Sequence, residues 1–84
     1  MRLDKFLKVS RLIKRRTVAN EACDSSRVSV NGKPAKPSHD VKYGDELSIS
    51  FGSKIVTVRV LDIRETTKKL EAVGMYEIVS ERNV

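Results

Sequence analysis

At Arg27 the hydrophobic rhythm of this 84-residue chain changes period, and that change limits the folds open to it. Upstream, apolar residues recur at intervals of three and four, the spacing that lines one side of a helix. Downstream they recur at every second position, as on one face of a strand. Helices first and strands afterwards describe an α+β chain, with two N-terminal helices packed on a small, mainly antiparallel sheet. The length supplies one modest core, so residues 1–84 read as a single domain. Without tryptophan, that core must be built mostly from Val, Ile, Leu and Ala.

In RLDKFLKV (residues 2–9), a turn of about 100° per residue puts Leu3, Phe6 and Leu7 on one side and Asp4, Lys5 and Lys8 opposite. Asp4 and Lys8 form an i, i+4 pair in the favourable order, and the helix is expected to end near Ser10. A second helix is expected in VANEACDSS, with Thr17 as its N-cap and Ala19, Ala22 and Cys23 on its apolar face. Between the two, RLIKRRT (Arg11 to Thr17) becomes a tight connection whose Leu12 and Ile13 drop into the core.

The strands announce themselves through their turns. RVSVNGKPA alternates Val28 and Val30, then meets Asn31-Gly32, where both central residues of a type I′ turn need positive φ. Pro34 and Pro37 make the segment after it an irregular crossing or an edge. YGDELSISF turns at Gly44-Asp45 and points Leu47, Ile49 and Phe51 inward. Gly52-Ser53 suits a type II′ loop, and KIVTVRVLDI returns with Val56, Val58 and Val60 on the same side. ETTKKLEAVG reads as a short helix starting near Thr66 or Thr67 and stopped by Gly74, and MYEIV as a last strand.

Charge is segregated along the chain. Residues 1–36 hold ten basic against three acidic side chains, a net +7, whereas residues 37–84 hold seven against eight, a net −1. Solubility alone does not require such separation; a polyanionic partner does. Lys42, Lys54, Lys68 and Lys69 have acids nearby and read as ordinary solvated groups. Arg11, Lys14, Arg15 and Arg16 have no acid between Lys5 and Arg16, and their mutual repulsion is relieved if phosphates sit among them. The guanidinium fork suits phosphate oxygens, and the first amides of the second helix, around Thr17 and Val18, add a further anion-binding feature.

Catalysis finds little support. His39 is the lone histidine and Cys23 the lone cysteine, so neither has metal-ligand company. Cys23 reads as a small buried hydrophobe, and the missing disulfide partner suits a reducing, cytosolic setting. No phosphate-cradling glycine motif occurs, so neither a cofactor nor enzymatic activity is expected. A membrane surface would attract the same cations, but Leu3, Phe6 and Leu7 are needed for the core, which leaves charge without an apolar wedge. No recognition helix for a major groove is evident, and Phe6, Tyr43, Phe51 and Tyr76 are too few for a platform that stacks single strands. Shaped, backbone-rich RNA is the partner that remains.

These features occur in a familiar order. R-L-D-K at 2–5, R-x-x-K-R-R-T at 11–17, V-x-V-N-G at 28–32, K-P-S at 36–38 and G-D-E-L at 44–47 together resemble the S-four RNA-binding domain, or alpha-L motif. The motif core would span about residues 1–50, with a hairpin and C-terminal extension over about 51–84. Along its whole length the chain is similar to the RqcP family of bacterial ribosome-associated quality control, related to the fifteen-kilodalton heat-shock proteins. That resemblance implies a non-catalytic, cytoplasmic factor on obstructed large ribosomal subunits carrying peptidyl-tRNA. It would contact large-subunit rRNA and tRNA and support a partner factor that tails stalled chains with alanine.

Carried onto matching positions, the resemblance makes Arg2, Lys5, Arg11, Lys14, Arg15, Arg16 and Thr17 the RNA-facing set, with Lys33 and Lys36 at its periphery. Asp4 would orient neighbouring cations or meet a sugar hydroxyl. A monomer is expected, since a cationic face repels its own copy. One departure stands out: Ser25-Ser26 fill the place where relatives commonly have glycine in a left-handed turn. Two other functions fit a basic module of this size, an RNA-targeting accessory of an RNA-modifying or tRNA-charging enzyme and a docking module for an acidic protein.

Overall fold

The computed structural model describes residues 1–65, 68 and 72–83. Two helices, α1 (Leu3–Val9) and α2 (Arg16–Asp24), precede the strands β1 (Val28–Val30), β2 (Lys33–Pro34), β3 (Glu46–Phe51), β4 (Lys54–Val60) and β5 (Tyr76–Asn83), with a 3₁₀ turn at Val73–Met75 before the last strand. The strands form one antiparallel sheet in the order β2-β1-β3-β4-β5. The α+β architecture is therefore the one its hydrophobic periods describe.

Sheet register explains the alternation. Val28 lies opposite Ile49, Val30 opposite Leu47, Leu47 opposite Val58 and Ile49 opposite Val56. All of these side chains are buried, in one cluster with Leu3, Phe6 and Leu7 of α1, Ile13 of the linker and Ala19, Ala22 and Cys23 of α2. Phe51 keeps the inward phase but ends 41% exposed, because it sits at the tip of the β3–β4 hairpin. Leu12 is only partly buried, against the expectation for it, whereas Ile13 is 8% exposed and its amide bonds the Leu7 carbonyl at 3.0 Å.

A seven-residue helix is too short to persist alone, so α1 depends on what it touches. No side chain caps its start; instead the Leu3 amide donates to the His39 carbonyl at 2.8 Å and the Asp4 amide to the Pro37 carbonyl at 3.1 Å. The proline-bearing crossing thus serves as the cap of α1, after a two-residue edge strand at Lys33–Pro34. Asn31 and Gly32, at φ 51 and 86, make the tight turn between β1 and β2, and Gly52, at φ 66, supplies the positive φ of the next hairpin.

Helix α2 exits through a Schellman turn. Ser26 donates to the Cys23 carbonyl at 3.0 Å and Arg27 to the Ala22 carbonyl at 2.9 Å, with Ser26 at φ 58. Serine thus occupies the left-handed position that favours glycine.

The start of α2 corrects an expectation: Thr17 is not its N-cap. The helix begins at Arg16, and Arg15, with φ −122 and ψ 135, takes the cap position without a side-chain hydrogen bond. That earlier start sets Arg16 and Asn20 one turn apart on the same face, where both reach Asp4. The helix read into ETTKKLEAVG lies largely outside the described residues. Gly74 falls within the 3₁₀ turn instead of beyond a helix end, and β5 runs past MYEIV to Asn83.

Candidate nucleic-acid interface

The site is organised around a carboxylate. Asp4 is 3% exposed, although a helical wheel sets it opposite the apolar side of α1. The wheel sees one helix; here α2 covers the flank that Asp4 occupies. Its Oδ1 accepts from the Lys5 amide at 2.8 Å, Arg2 Nε at 3.2 Å and Arg16 Nη2 at 3.4 Å. Its Oδ2 accepts from Asn20 Nδ2 at 3.3 Å and Arg2 Nη2 at 3.4 Å. Lys8, its expected i, i+4 partner, is not among these donors.

Burial by itself would raise the Asp4 pKa, but hydrogen bonds from Arg2, Asn20, Arg16 and the Lys5 amide outweigh it and hold the carboxyl below the ordinary range. A buried carboxylate with this many donors stays ionised and fixes the donors in turn. The Arg2 and Arg16 side chains remain about half exposed, at 51% and 48%, so each guanidinium keeps N–H groups available beyond the clasp.

Recesses border the clasp and the crossing. Asp4, Arg16, Thr17, Asn20 and Glu21 border a recess of about 400 Å³. Asn20 also borders a groove of about 550 Å³ with Arg2 and Lys36, between α2 and the crossing at residues 34–38. Lys36 is shared in turn with a recess of about 630 Å³ that includes Lys33 and His39. Arg2, Asp4, Arg16, Thr17, Lys33 and Lys36 therefore border recesses that share lining residues, with Glu21 and Asp24 also at their edges, although they are scattered over 35 positions of sequence.

Other expected site residues stand elsewhere. Lys5 is turned to Glu65 in a short ion pair. Lys14 borders a recess on the opposite flank of α2. Arg11 is exposed and follows the end of α1 at φ 64, and Arg15 is exposed at the start of α2. Arg16 is not the unneutralised cation that its neighbours in sequence imply, since Asp4 reaches it across the helix pair. Among the described residues no carboxylate pairs with Lys14, Arg15, Lys33 or Lys36. Asn20 escapes a reading by charge alone, its signal being its one-turn spacing from Arg16, while Arg27, one of the ten cations of residues 1–36, lines the same recess as Lys14.

Cys23 is buried, and that burial pushes its thiol up to about 11, so it is an inert core group. Among the described residues no cluster of His, Cys, Asp and Glu is arranged to hold a metal. Among the described residues no helix is long and apolar enough to cross a membrane.

The S4 domain family model matches residues 1–47, which contain both helices, the linker between them and the crossing. The chain belongs to the S4 domain family. It is 61% identical over 84 residues to the RQC P-site tRNA stabilizing factor of Bacillus subtilis, covering 100% of this chain and 98% of that one. Its identity to the protein of the same name from Streptococcus pneumoniae is 57%, over 100% of this chain and 96% of that one. Among solved structures it is similar to heat shock protein 15 of Vibrio cholerae, with a TM-score of 0.89 and 30% identity over 95% of this chain and 82% of that one. Within this S4 domain, the matched segment carries every residue that borders these three recesses, whereas β4 and β5 lie beyond it.

Proposed function

We propose that this chain is a non-catalytic RNA-binding factor of bacterial ribosome-associated quality control. It binds obstructed large ribosomal subunits that still hold peptidyl-tRNA, touching both rRNA and tRNA. The observation that carries this reading is the series of recesses bordered by Arg16, Arg2, Lys36 and Lys33, with Arg15 exposed at the start of α2 and without a carboxylate partner among the described residues. Such a surface follows a ribose-phosphate chain, and its fixed guanidinium groups suit phosphate oxygens. The printed names of the relatives at 61% and 57% identity support the quality-control assignment.

In this reading Arg2, Lys5, Arg11, Lys14, Arg15, Arg16 and Thr17 face RNA, Lys33 and Lys36 extend the contact, and Asp4 positions Arg2 and Arg16. Lys5 exchanges Glu65 for phosphate on binding, an exposed pairing that costs little to break. The protein works as a cytoplasmic monomer, one RNA-binding domain with its motif at about residues 1–50 and its extension at about 51–84. By holding peptidyl-tRNA it supports the partner factor that adds alanine to the stalled chain. Co-sedimentation with purified large subunits, with and without peptidyl-tRNA, tests this. Retention should be greater on the loaded subunits and should fall with Arg15→Glu, and equal retention in all cases would refute the reading.

A further inference from the structure

The two flanks of α2 differ in chemistry. One carries the Asp4 clasp. On the other, a recess of about 320 Å³ opens between the linker, α2 and the tip of the β3–β4 hairpin. Leu12, Ile13 and Ala22 contribute to its lining, Val18 and Phe51 stand beside it at 47% and 41% exposure, and Lys14 and Arg27 complete it. Neither cation has a carboxylate partner among the described residues.

An aromatic ring and a valine left open to water beside two unpaired cations call for an occupant that is apolar on its faces and anionic at its edge. A lipid tail needs a longer apolar track than this recess provides. A plain apolar side chain has no use for the cations. A nucleobase on its sugar-phosphate chain meets both demands, and Lys14 joins the recess to the basic linker that leads to Arg16.

Resting on the RNA-binding reading above, we infer that this recess receives one unstacked RNA base against Phe51, with the adjoining phosphates on Lys14 and Arg27. A single aromatic makes a socket for one base, distinct from a platform for a run of them, and bases splayed from bulges and loops are the ones proteins can take in this way.

The test uses the full chain and two short RNA hairpins, one fully paired and one with a single bulged 2-aminopurine. The wild type should bind the bulged hairpin more tightly and quench its fluorescence. Phe51→Ala should lose about 5- to 150-fold in affinity for the bulged hairpin, with the quench, and little for the paired one. Phe51→Tyr should keep both, and thermal melts establish that each variant is folded. Arg15→Glu should weaken both hairpins alike. Undiminished binding and quenching by folded Phe51→Ala, with Arg15→Glu still defective, would overturn the socket and leave RNA binding standing. Failure of wild type to bind either hairpin would remove the reading beneath it. Phe51-dependent affinity for an acidic leucine-bearing peptide, without any Phe51 effect on RNA, would assign the recess to a protein and also overturn the inference.

Discussion

Asp4 of α1 and Arg16 of α2 meet at 3.4 Å between Oδ1 and Nη2, with the carboxylate buried and the guanidinium half exposed. The pair joins two short helices and aims a cation outward from a fixed base. Arg2 and Asn20 share the same carboxylate, so one side chain organises three others. The polar clasp and the apolar core therefore hold the same helix pair from two sides.

Replacing Asp4 with Asn should expose that dependence. The variant keeps the shape but loses the charge that receives Arg2 and Arg16, and it sets an amide donor among existing donors. A loss of about 1–3 kcal/mol in folding stability is expected, because the cations left behind can still reach water. Urea unfolding measures this. RNA affinity should fall beyond what the folded fraction explains, since the guanidinium groups lose their anchor, and a folded Asp4→Asn with unchanged affinity would deny Asp4 a positioning role.

Acid should act through the same group. The Asp4 pKa is lowered in the folded protein, so its contribution is fully present above the ordinary value of 3.8 and is lost as pH falls through the lower folded value. Below that point the unfolded and folded states bind the same proton and no preference remains. Urea unfolding of wild type and Asp4→Asn across this range should give a stability gap that narrows as pH falls, and a gap of constant size would show that charge is not the source.

Most of the fold was legible because its signals are local. Asn31-Gly32 and Gly52-Ser53 mark turns through the φ values they permit, and the alternating valines of β4 mark a face. What escaped depends on neighbours distant in sequence. The helical wheel made Asp4 a surface residue because it contains no second helix, and the run from Arg11 to Arg16 looked unneutralised because the acid that answers Arg16 lies twelve residues away. Charge alone singles out Arg2, Arg16, Lys33 and Lys36 but does not say that they border neighbouring recesses, and Asn20, uncharged, is visible only through the carboxylate it touches.

The end of α2 offers a gain in stability. Ser26 holds φ 58 in a turn where a β-carbon is disfavoured, by roughly 1 kcal/mol relative to glycine. Its side chain is exposed, so Ser26→Gly removes strain without opening a cavity. A stabilisation of about 0.5–1 kcal/mol is expected, which raises Tm by roughly 2–8 °C in a domain of this size. Calorimetry checks the shift, and RNA affinity should stay constant. A lower Tm would mean that the serine contributes more than its backbone conformation costs.

Arg15 and Arg16 are adjacent in sequence but answer to different forces. Arg15 is exposed and has no carboxylate partner among the described residues, so Arg15→Glu should alter stability by no more than about 0.5 kcal/mol. Arg16→Glu sets a second carboxylate against buried Asp4, where repulsion and lost hydrogen bonds should lower stability and binding together. On RNA, Arg15→Glu should weaken binding at every salt concentration and make the log-log salt slope shallower by about one phosphate contact, roughly 0.7 to 0.9. Binding isotherms at several salt concentrations, beside thermal melts of both variants, separate the two. A wild-type affinity indifferent to salt would remove the electrostatic basis for RNA binding, since phosphates held by cations release counterions and must respond to their concentration.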